Sequence, residues 1–223
     1  MADIQFTGPQ GEMLAGYIAQ PAPGQSARGN VIVIQEWFGI IDQLRSICDR
    51  LAGAGYRALA PDLYDGYVAK TDADAAKKMN ELDFGKAIGS KIRGAQQHFE
   101  KVDGKTAVLG FCMGGALTLV SAMRLPGLAA AVCFYGLPQD QAGDPGTITI
   151  PLQAHFAQHD DWCTPAKVDA LEEKLKKGKV PYELHRYDAK HAFMRDTDEK
   201  AYDAAASKTA WARTLEFLRR NVG

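Results

Sequence analysis

The sequence predicts an α/β protein with a mostly parallel central sheet, helices on both faces and an antiparallel N-terminal edge. Short apolar runs alternate with helical stretches along most of the chain, which is the order that a parallel sheet requires. Residues 3–21 contain two short strand-like segments joined by a Gly-Pro-Gln-Gly turn at 8–11, and this pattern predicts an antiparallel hairpin. A length of 223 residues fits one domain, 1–223.

The first half of the chain predicts two further strands with their helices. Residues 29–39 have a continuous apolar core, which is typical of a strand buried on both faces. Residues 41–56 are expected to form a helix, because their apolar side chains recur at helical intervals and the pattern stops at glycines. Residues 57–66 are expected as a short strand and loop, and the polar, alanine-rich residues 71–100 as helix with one break near Gly85.

The second half repeats this alternation. Strands are expected at 105–111, at 128–136, at the beginning of 150–162 and within 182–193. Helices are expected at 114–125, 165–178 and 199–220. The helix at 165–178 has proline at its start and glycine at its end, which are the favoured residues at those positions.

Composition and charge exclude several classes of protein. Hydrophobic residues make up 46% and the formal net charge is −1, so neither nucleic acid nor an anionic membrane is an expected partner. The start of the chain lacks the pattern of a signal peptide, and no apolar run is long enough to span a bilayer. We therefore expect a cytoplasmic protein, a monomer, whose four cysteines are free thiols.

The segment Gly110-Phe111-Cys112-Met113-Gly114 has the form Gly-x-nucleophile-x-Gly between a predicted strand and a predicted helix. This motif holds the nucleophile on a strained turn, with glycine where the backbone is crowded. The positive end of the following helix favours a thiolate and a developing oxyanion. A tight glycine turn with an inert cysteine is the alternative interpretation of the pentapeptide alone.

An acid and a base follow Cys112 in the chain order that α/β-hydrolases use. A predicted strand ends in His-Asp-Asp before the proline-started helix, and both Asp160 and Asp161 qualify as the acid. Asp160 is preferred because the strand delivers it earlier in the loop. His191 lies in a loop after the last predicted strand, and the four other histidines are expected to be structural or on the surface.

These residues predict nucleophilic catalysis through an acyl-enzyme. His191 takes the thiol proton of Cys112 and later activates a water molecule, and Asp160 stabilises the imidazolium. The backbone N–H of Met113 and an N–H from the loop after residues 29–34, for which Trp37 is the candidate, are expected to bind the oxyanion.

Six segments of the chain resemble the dienelactone hydrolase family of carboxymethylenebutenolidase-like α/β-hydrolases. They occur in the family's order between about residues 30 and 218. The segments are VIVIQEWFG, APDLY, GFCMGGAL, HDDWCTPA, HAFMR and RTLEFL. The resemblance implies a compact α/β-hydrolase fold, a cysteine nucleophile and hydrolysis of a small enol-lactone in the degradation of aromatic compounds, with Cys112, Asp160 and His191 as the triad and no cofactor or metal.

The resemblance also implies roles for two charged residues. The family's glutamate, at Glu36 here, approaches the resting cysteine and accepts the thiol proton when substrate rearranges the site. Arg195 occupies the position of an arginine that binds the substrate carboxylate, for which a guanidinium is well shaped. The expected substrate is therefore a small anionic lactone or ester.

The sequence departs from the family in the helical region before Cys112. Well-studied members supply a second arginine and a tyrosine there, but residues 70–85 contain neither. Lys77 or Lys78 offers positive charge without the planar guanidinium, and Tyr64 and Tyr67 lie nearby in the sequence. The departure predicts a substrate that differs from the family's dienelactone.

The sequence leaves three other hypotheses of function open. The same triad suits a carboxylesterase or thioesterase of broader specificity. A non-catalytic redox or sensor protein would use Cys112 as its reactive thiol, with Cys133 or Cys163 as the resolving cysteine. The two histidines and two aspartates between residues 155 and 161 raise the possibility of zinc, although a strand-to-loop context puts them on no common helical face.

Overall fold

A computed structural model describes residues 2–223 and contains eight strands. The strands are β1 (Ala2–Thr7), β2 (Met13–Ala19), β3 (Gly29–Ile34), β4 (Tyr56–Pro61), β5 (Thr106–Phe111), β6 (Leu128–Phe134), β7 (Leu152–His159) and β8 (Tyr182–Lys190). The helices are α1 (Asp42–Gly53), α2 (Asp72–Glu81), α3 (Phe84–Lys86), α4 (Arg93–Phe99), α5 (Met113–Arg124), α6 (Pro165–Gly178) and α7 (Ala204–Asn221). A π-helical turn, Ala87–Ile92, connects α3 to α4.

All eight strands form one sheet in the order β1-β2-β4-β3-β5-β6-β7-β8. The first three strands in this order pair antiparallel. Every pairing from β4 through β3 to β8 is parallel. The mostly parallel sheet and the antiparallel N-terminal edge are therefore confirmed. The loops after β3, β5, β6, β7 and β8 all leave from one edge of the sheet, which is where parallel α/β proteins place their sites.

Helices cover both faces of the sheet, as the sequence predicts. Side chains of β3 alternate between the two sides, so that Ile32 and Ile34 pack with α4, α5 and α6 while Val31 and Val33 pack with α1 and α7. Every residue of β3 is buried, which explains the continuous apolar run in the sequence. Among residues 2–223, no helix combines the length and the apolar character needed to cross a membrane.

One helix boundary differs from the sequence prediction. The predicted break near Gly85 is present at Leu82 and Asp83, where the Asp83 carboxylate accepts a hydrogen bond from the Lys86 N–H and starts a new helix. The last helix begins at Ala204 rather than at residue 199, since the side chain of Asp203 caps it. Side-chain caps of this kind decide where a helix starts more sharply than apolar periodicity does.

Candidate active site

Cys112 lies between β5 and α5 in a strained backbone conformation, with φ 52° and ψ −116°. A positive φ is unfavourable for any residue with a side chain. Neighbouring backbone stabilises the turn, since the Cys112 N–H donates to the carbonyl of Phe134 at 3.0 Å and its carbonyl accepts from the Ala116 N–H at 3.0 Å. The half-buried sulfur therefore stands at the N-terminus of α5, as the motif predicts.

The two motif glycines are required by close contact with backbone. A Cβ at Gly110 would lie 2.2 Å from the carbonyl oxygen of Gly114. A Cβ at Gly114 would lie 2.4 Å from the carbonyl oxygen of Ile34. Neither contact can be relieved by moving a side chain, so the tight turn that lifts Cys112 needs glycine at both positions.

Cys112, His191 and Asp160 form a hydrogen-bonded chain. The Nε2 atom of His191 lies 3.2 Å from the Cys112 sulfur. The Nδ1 atom of His191 lies 2.7 Å from Oδ2 of Asp160. The three residues come from the loops after β5, β7 and β8, and the shared edge of the sheet brings them together. This arrangement is the one that the sequence predicts from chain order.

The structure distinguishes the two neighbouring aspartates. Asp160 is 3% exposed, whereas the side chain of Asp161 is exposed. The second carboxylate oxygen of Asp160 accepts backbone N–H bonds from Trp162 and Cys163, each at 2.8 Å. The loop thereby fixes the carboxylate, and Asp160 is the aspartate that faces His191.

The charges of this pair follow from their contacts. Burial raises the pKa of the Asp160 carboxyl, but its hydrogen bonds and the charge of His191 outweigh burial and lower the pKa. Burial lowers the pKa of His191, but hydrogen bonds to Asp160 and Cys112 and the charges of both partners raise it to about 10. The site therefore favours an imidazolium, which is the form that a neighbouring thiolate requires.

Glu36 lies directly after β3 and is 2% exposed. One carboxylate oxygen accepts a hydrogen bond from the hydroxyl of Tyr135 at 3.0 Å, and the other pairs with a guanidinium nitrogen of Arg195 at 3.3 Å. Burial raises its pKa, while Arg195, His191 and Tyr135 act in the opposite direction. Both carboxylate oxygens of Glu36 therefore have other partners in the free enzyme, and its expected approach to the sulfur of Cys112 stays a prediction.

Arg195 binds two carboxylates of the protein. Besides Glu36, its guanidinium pairs with Asp198, and it lies over the ring of Phe38 at 5.1 Å. Its side chain is 14% exposed. Arg195 is therefore close to the candidate site, as expected, but its charge is already matched within the protein.

The two predicted oxyanion donors come from the segments that follow β5 and β3. Met113 is the first residue of α5, so its N–H has no acceptor within the helix. Trp37 follows β3, and its half-buried ring packs against Phe38 at 5.6 Å and Trp162 at 5.9 Å. Their contact with an oxyanion stays a prediction.

Sequence reasoning did not find Tyr135, and it named Tyr64 without placing it in the site. Tyr135 is fully buried, has a φ of 36° and donates to Glu36. Tyr64 is 8% exposed and directs its hydroxyl to the sulfur of Met113 at 3.6 Å. Tyr135 directly follows β6, and Glu36 lies two residues after β3. This position at the carboxyl end of a parallel strand was the available signal.

The zinc alternative does not correspond to a cluster. His155 is fully buried and its ring nitrogens contact Tyr187 and Gln153, whereas the exposed His159 pairs with Asp188. Asp160, Cys163 and His191 do place potential ligand atoms within 4.8 Å of one another.

That second group is a poor metal site as it stands. Burial raises the pKa of the Cys163 thiol, and the thiol donates to the carbonyl of Tyr135 at 3.3 Å. A metal would also have to displace the contact between Asp160 and His191. These residues are therefore better suited to holding the imidazole than to holding an ion.

Comparison with known proteins identifies the family. Residues 14–222 match the model of the dienelactone hydrolase family. The chain is 34% identical over 220 residues to "Protein usf" of Aquifex pyrophilus, with 94% of each chain covered. It is 31% identical over 221 residues to the "Putative carboxymethylenebutenolidase" of Aquifex aeolicus, again with 94% of each chain covered.

A solved structure agrees with these sequence matches. The crystal structure named "Putative Dienelactone Hydrolase" from Klebsiella pneumoniae superposes with a TM-score of 0.81 at 27% identity, covering 97% of this chain and 98% of that one. The family match spans the strands and loops that carry Glu36, Cys112, Asp160 and His191. This chain therefore belongs to the dienelactone hydrolase family, has its α/β-hydrolase fold and is a hydrolase that acts on ester bonds.

Proposed function

We propose that this enzyme hydrolyses a small, carboxylated enol-lactone or ester, with Cys112 as the nucleophile of an acyl-enzyme mechanism. The observation that carries the proposal is the chain of contacts from the sulfur through His191 to Asp160, at 3.2 and 2.7 Å. Both separations are within reach of proton transfer or hydrogen bonding. The strained turn at Cys112 points the sulfur at the same edge of the sheet as the base.

In the first half of the reaction, His191 Nε2 takes the thiol proton and the Cys112 sulfur attacks the carbonyl carbon. The N–H groups of Met113 and Trp37 bind the oxyanion. The C–O bond then breaks, the bonding electrons go to the leaving oxygen, and His191 returns the proton to that oxygen. In a lactone, the leaving oxygen stays tethered, so the product of this half is a ring-opened thioester.

In the second half, water completes the hydrolysis. His191 takes a proton from a water molecule, and the hydroxide attacks the thioester carbon. The C–S bond breaks, the sulfur of Cys112 leaves and recovers its proton from His191, and the carboxylic acid is released. Asp160 holds the Nδ1 proton of His191 throughout, which keeps Nε2 facing the reacting atoms.

Arg195 is the proposed anchor for the substrate carboxylate. A guanidinium can bind a carboxylate through two parallel N–H bonds. Because Glu36 and Asp198 occupy Arg195 in the free enzyme, a substrate carboxylate would compete with Glu36 for it. A Glu36 carboxylate freed from Arg195 would then assist the transfer of the thiol proton from Cys112 to His191, which is how its implied role fits this mechanism.

The test compares a dienelactone with 4-nitrophenyl acetate. Wild type, Cys112→Ala and Cys112→Ser are assayed with both substrates, together with alkylation of the purified protein by iodoacetamide. The proposal expects turnover by wild type, loss of turnover in Cys112→Ala and alkylation at Cys112. Undiminished turnover by Cys112→Ala would refute the assignment of Cys112 as the nucleophile.

A broader carboxylesterase or thioesterase is the second candidate, and one observation favours it. Arg195 already has two carboxylate partners, so a neutral ester would bind without disturbing the site. The dienelactone assay separates the two candidates, because hydrolysis of the nitrophenyl ester without hydrolysis of the lactone supports the broader esterase. Arg195→Ala adds a second criterion. If Arg195 anchors the substrate carboxylate, its loss should lower kcat/KM for anionic substrates much more than for neutral ones.

A further inference from the structure

We propose that the open cavity beside His191 is the leaving-group subsite and that it binds a planar aromatic group carrying a negative charge. The inference rests on the proposed function, because it assigns the alcohol side of the ester that Cys112 attacks. It names a substrate class, the aryl esters of anionic phenols, and it assigns substrate binding to residues outside the triad.

The cavity has the right position for a leaving group. His191 is one of the residues that line it, and His191 is the group that must return a proton to the leaving oxygen. The leaving oxygen must therefore come within reach of the His191 imidazole, and a cavity that His191 lines is a place where the rest of the alcohol can lie.

The cavity also has the right size for one aromatic ring. Its volume is about 180 Å³, and an apolar cavity of about 150 Å³ is enough to hold benzene. Because it is open to solvent, a charged substituent on the ring can stay partly hydrated. A phenol with one anionic group fits these dimensions.

Trp162 supplies an aromatic wall. It is 59% exposed, so much of its ring is open to contact with a ligand. One edge packs against Trp37 with ring centroids 5.9 Å apart, and its ring lies 6.4 Å from that of His191. The backbone N–H of Trp162 donates a hydrogen bond to the Asp160 carboxylate, so the backbone that carries this ring is fixed to the triad.

Two lysines supply the positive charge. Lys190 and Lys200 both line the cavity, and within residues 2–223 neither forms a salt bridge. Asp161 also lines the cavity, while His159 on the same wall is paired with Asp188. Two ammonium groups against one carboxylate leave the cavity with a net positive charge, which attracts an anion.

The deciding experiment uses two acetate esters that differ only in charge, 4-acetoxybenzoate and 4-acetoxybenzamide. Both carry the same acyl group, so Arg195 meets the same acetyl in each. We expect wild type to have the higher kcat/KM for the benzoate and this preference to shrink as salt is added. Lys190→Gln and Lys200→Gln should each lower the preference about threefold, as for exposed ion pairs, and together about tenfold.

Trp162→Ala should raise KM for both aryl esters about fivefold, because stacking does not depend on the ring charge. Trp162→Phe keeps an aromatic wall and should recover most of that loss. Lys208→Gln is the matched control, since Lys208 is exposed on α7, and it should keep the preference within about twofold of wild type. An unchanged preference in the double lysine variant, or an unchanged KM in Trp162→Ala, would overturn the subsite.

A binding measurement separates this inference from the proposed function. Calorimetry of Cys112→Ala with 4-hydroxybenzoate measures the subsite without hydrolysis, and circular dichroism confirms that each variant is folded. Binding that weakens about tenfold when Lys190 and Lys200 are also replaced supports the subsite, even if Cys112→Ala still hydrolyses esters and the nucleophile assignment fails. Binding that is equal with and without the lysines overturns it, even if Cys112 proves to be the nucleophile.

Discussion

Replacing Asp160 by asparagine tests the candidate triad most directly, because it keeps the shape of the side chain and changes only its charge and its hydrogen bond to His191. In the folded protein, one carboxylate oxygen accepts from the N–H groups of Trp162 and Cys163, and the other faces Nδ1 of His191 at 2.7 Å. The carbonyl oxygen of an asparagine can keep both backbone bonds. Its NH₂ group then faces His191 and donates a hydrogen bond, so Nδ1 must be the acceptor. The imidazole proton is then on Nε2, facing Cys112.

The expected loss of kcat/KM in Asp160→Asn follows from the raised pKa of His191. Asp160 and Cys112 together raise the pKa of His191 from 6.5 to about 10, which corresponds to about 5 kcal/mol of stabilisation of the imidazolium. Losing the charge of Asp160 lowers the pKa of His191 and removes part of that stabilisation. The wrong tautomer removes the base as well, so the expected total loss is about 10³- to 10⁴-fold.

The assay is the hydrolysis of 4-nitrophenyl acetate between pH 5 and 10, with thermal unfolding as the check that the variant is folded. Asp188→Asn is the matched control, because Asp188 pairs with the exposed His159 at the same 2.7 Å distance, and it should keep kcat/KM within about threefold. A variant Asp160→Asn that retains a tenth of wild-type kcat/KM, or a larger loss in Asp161→Asn, would refute the assignment of the acid.

Three further substitutions test the surroundings of the site. Gly114→Ala should lower the free energy of unfolding by about 3 kcal/mol, because its Cβ would lie 2.4 Å from the Ile34 carbonyl oxygen; urea unfolding with an unchanged midpoint would contradict this. Tyr135→Phe should cost about 2 kcal/mol by the same measurement, since it removes a hydrogen bond to the buried Glu36 carboxylate, and a neutral result would mean that water replaces the hydroxyl. Burial lowers the pKa of His155 well below 6.5. The contribution of His155 to stability is therefore present above pH 6.5 and is lost as pH falls towards the folded pKa, by up to about 1.4 kcal/mol per pH unit. His155→Gln should remove this part of the dependence of the unfolding free energy on pH, and an identical pH dependence in both proteins would contradict it.

Much of the fold could be predicted from local pattern. The strands, the opening hairpin and the helix after Cys112 follow from apolar periodicity, turn residues and glycines, which act over a few neighbouring residues. The start of the last helix after Asp203 was missed, because a side-chain cap depends on the rotamer of one residue and leaves the apolar pattern unchanged. Cys112 and His191 were found because the order of elements along the chain constrains which loops share an edge of the sheet.

By itself, the sequence determined the order of strands and helices, the strained turn at Cys112 and the histidine that could serve it, because these depend on local backbone preferences and on chain order. Only the tertiary structure decided which aspartate faces His191, that Arg195 is paired with Glu36 and Asp198, and that Trp162 stands exposed beside the base. Those outcomes depend on distances between loops that are far apart in sequence. Such distances are set by the packing of the whole sheet, which no short segment of the chain encodes.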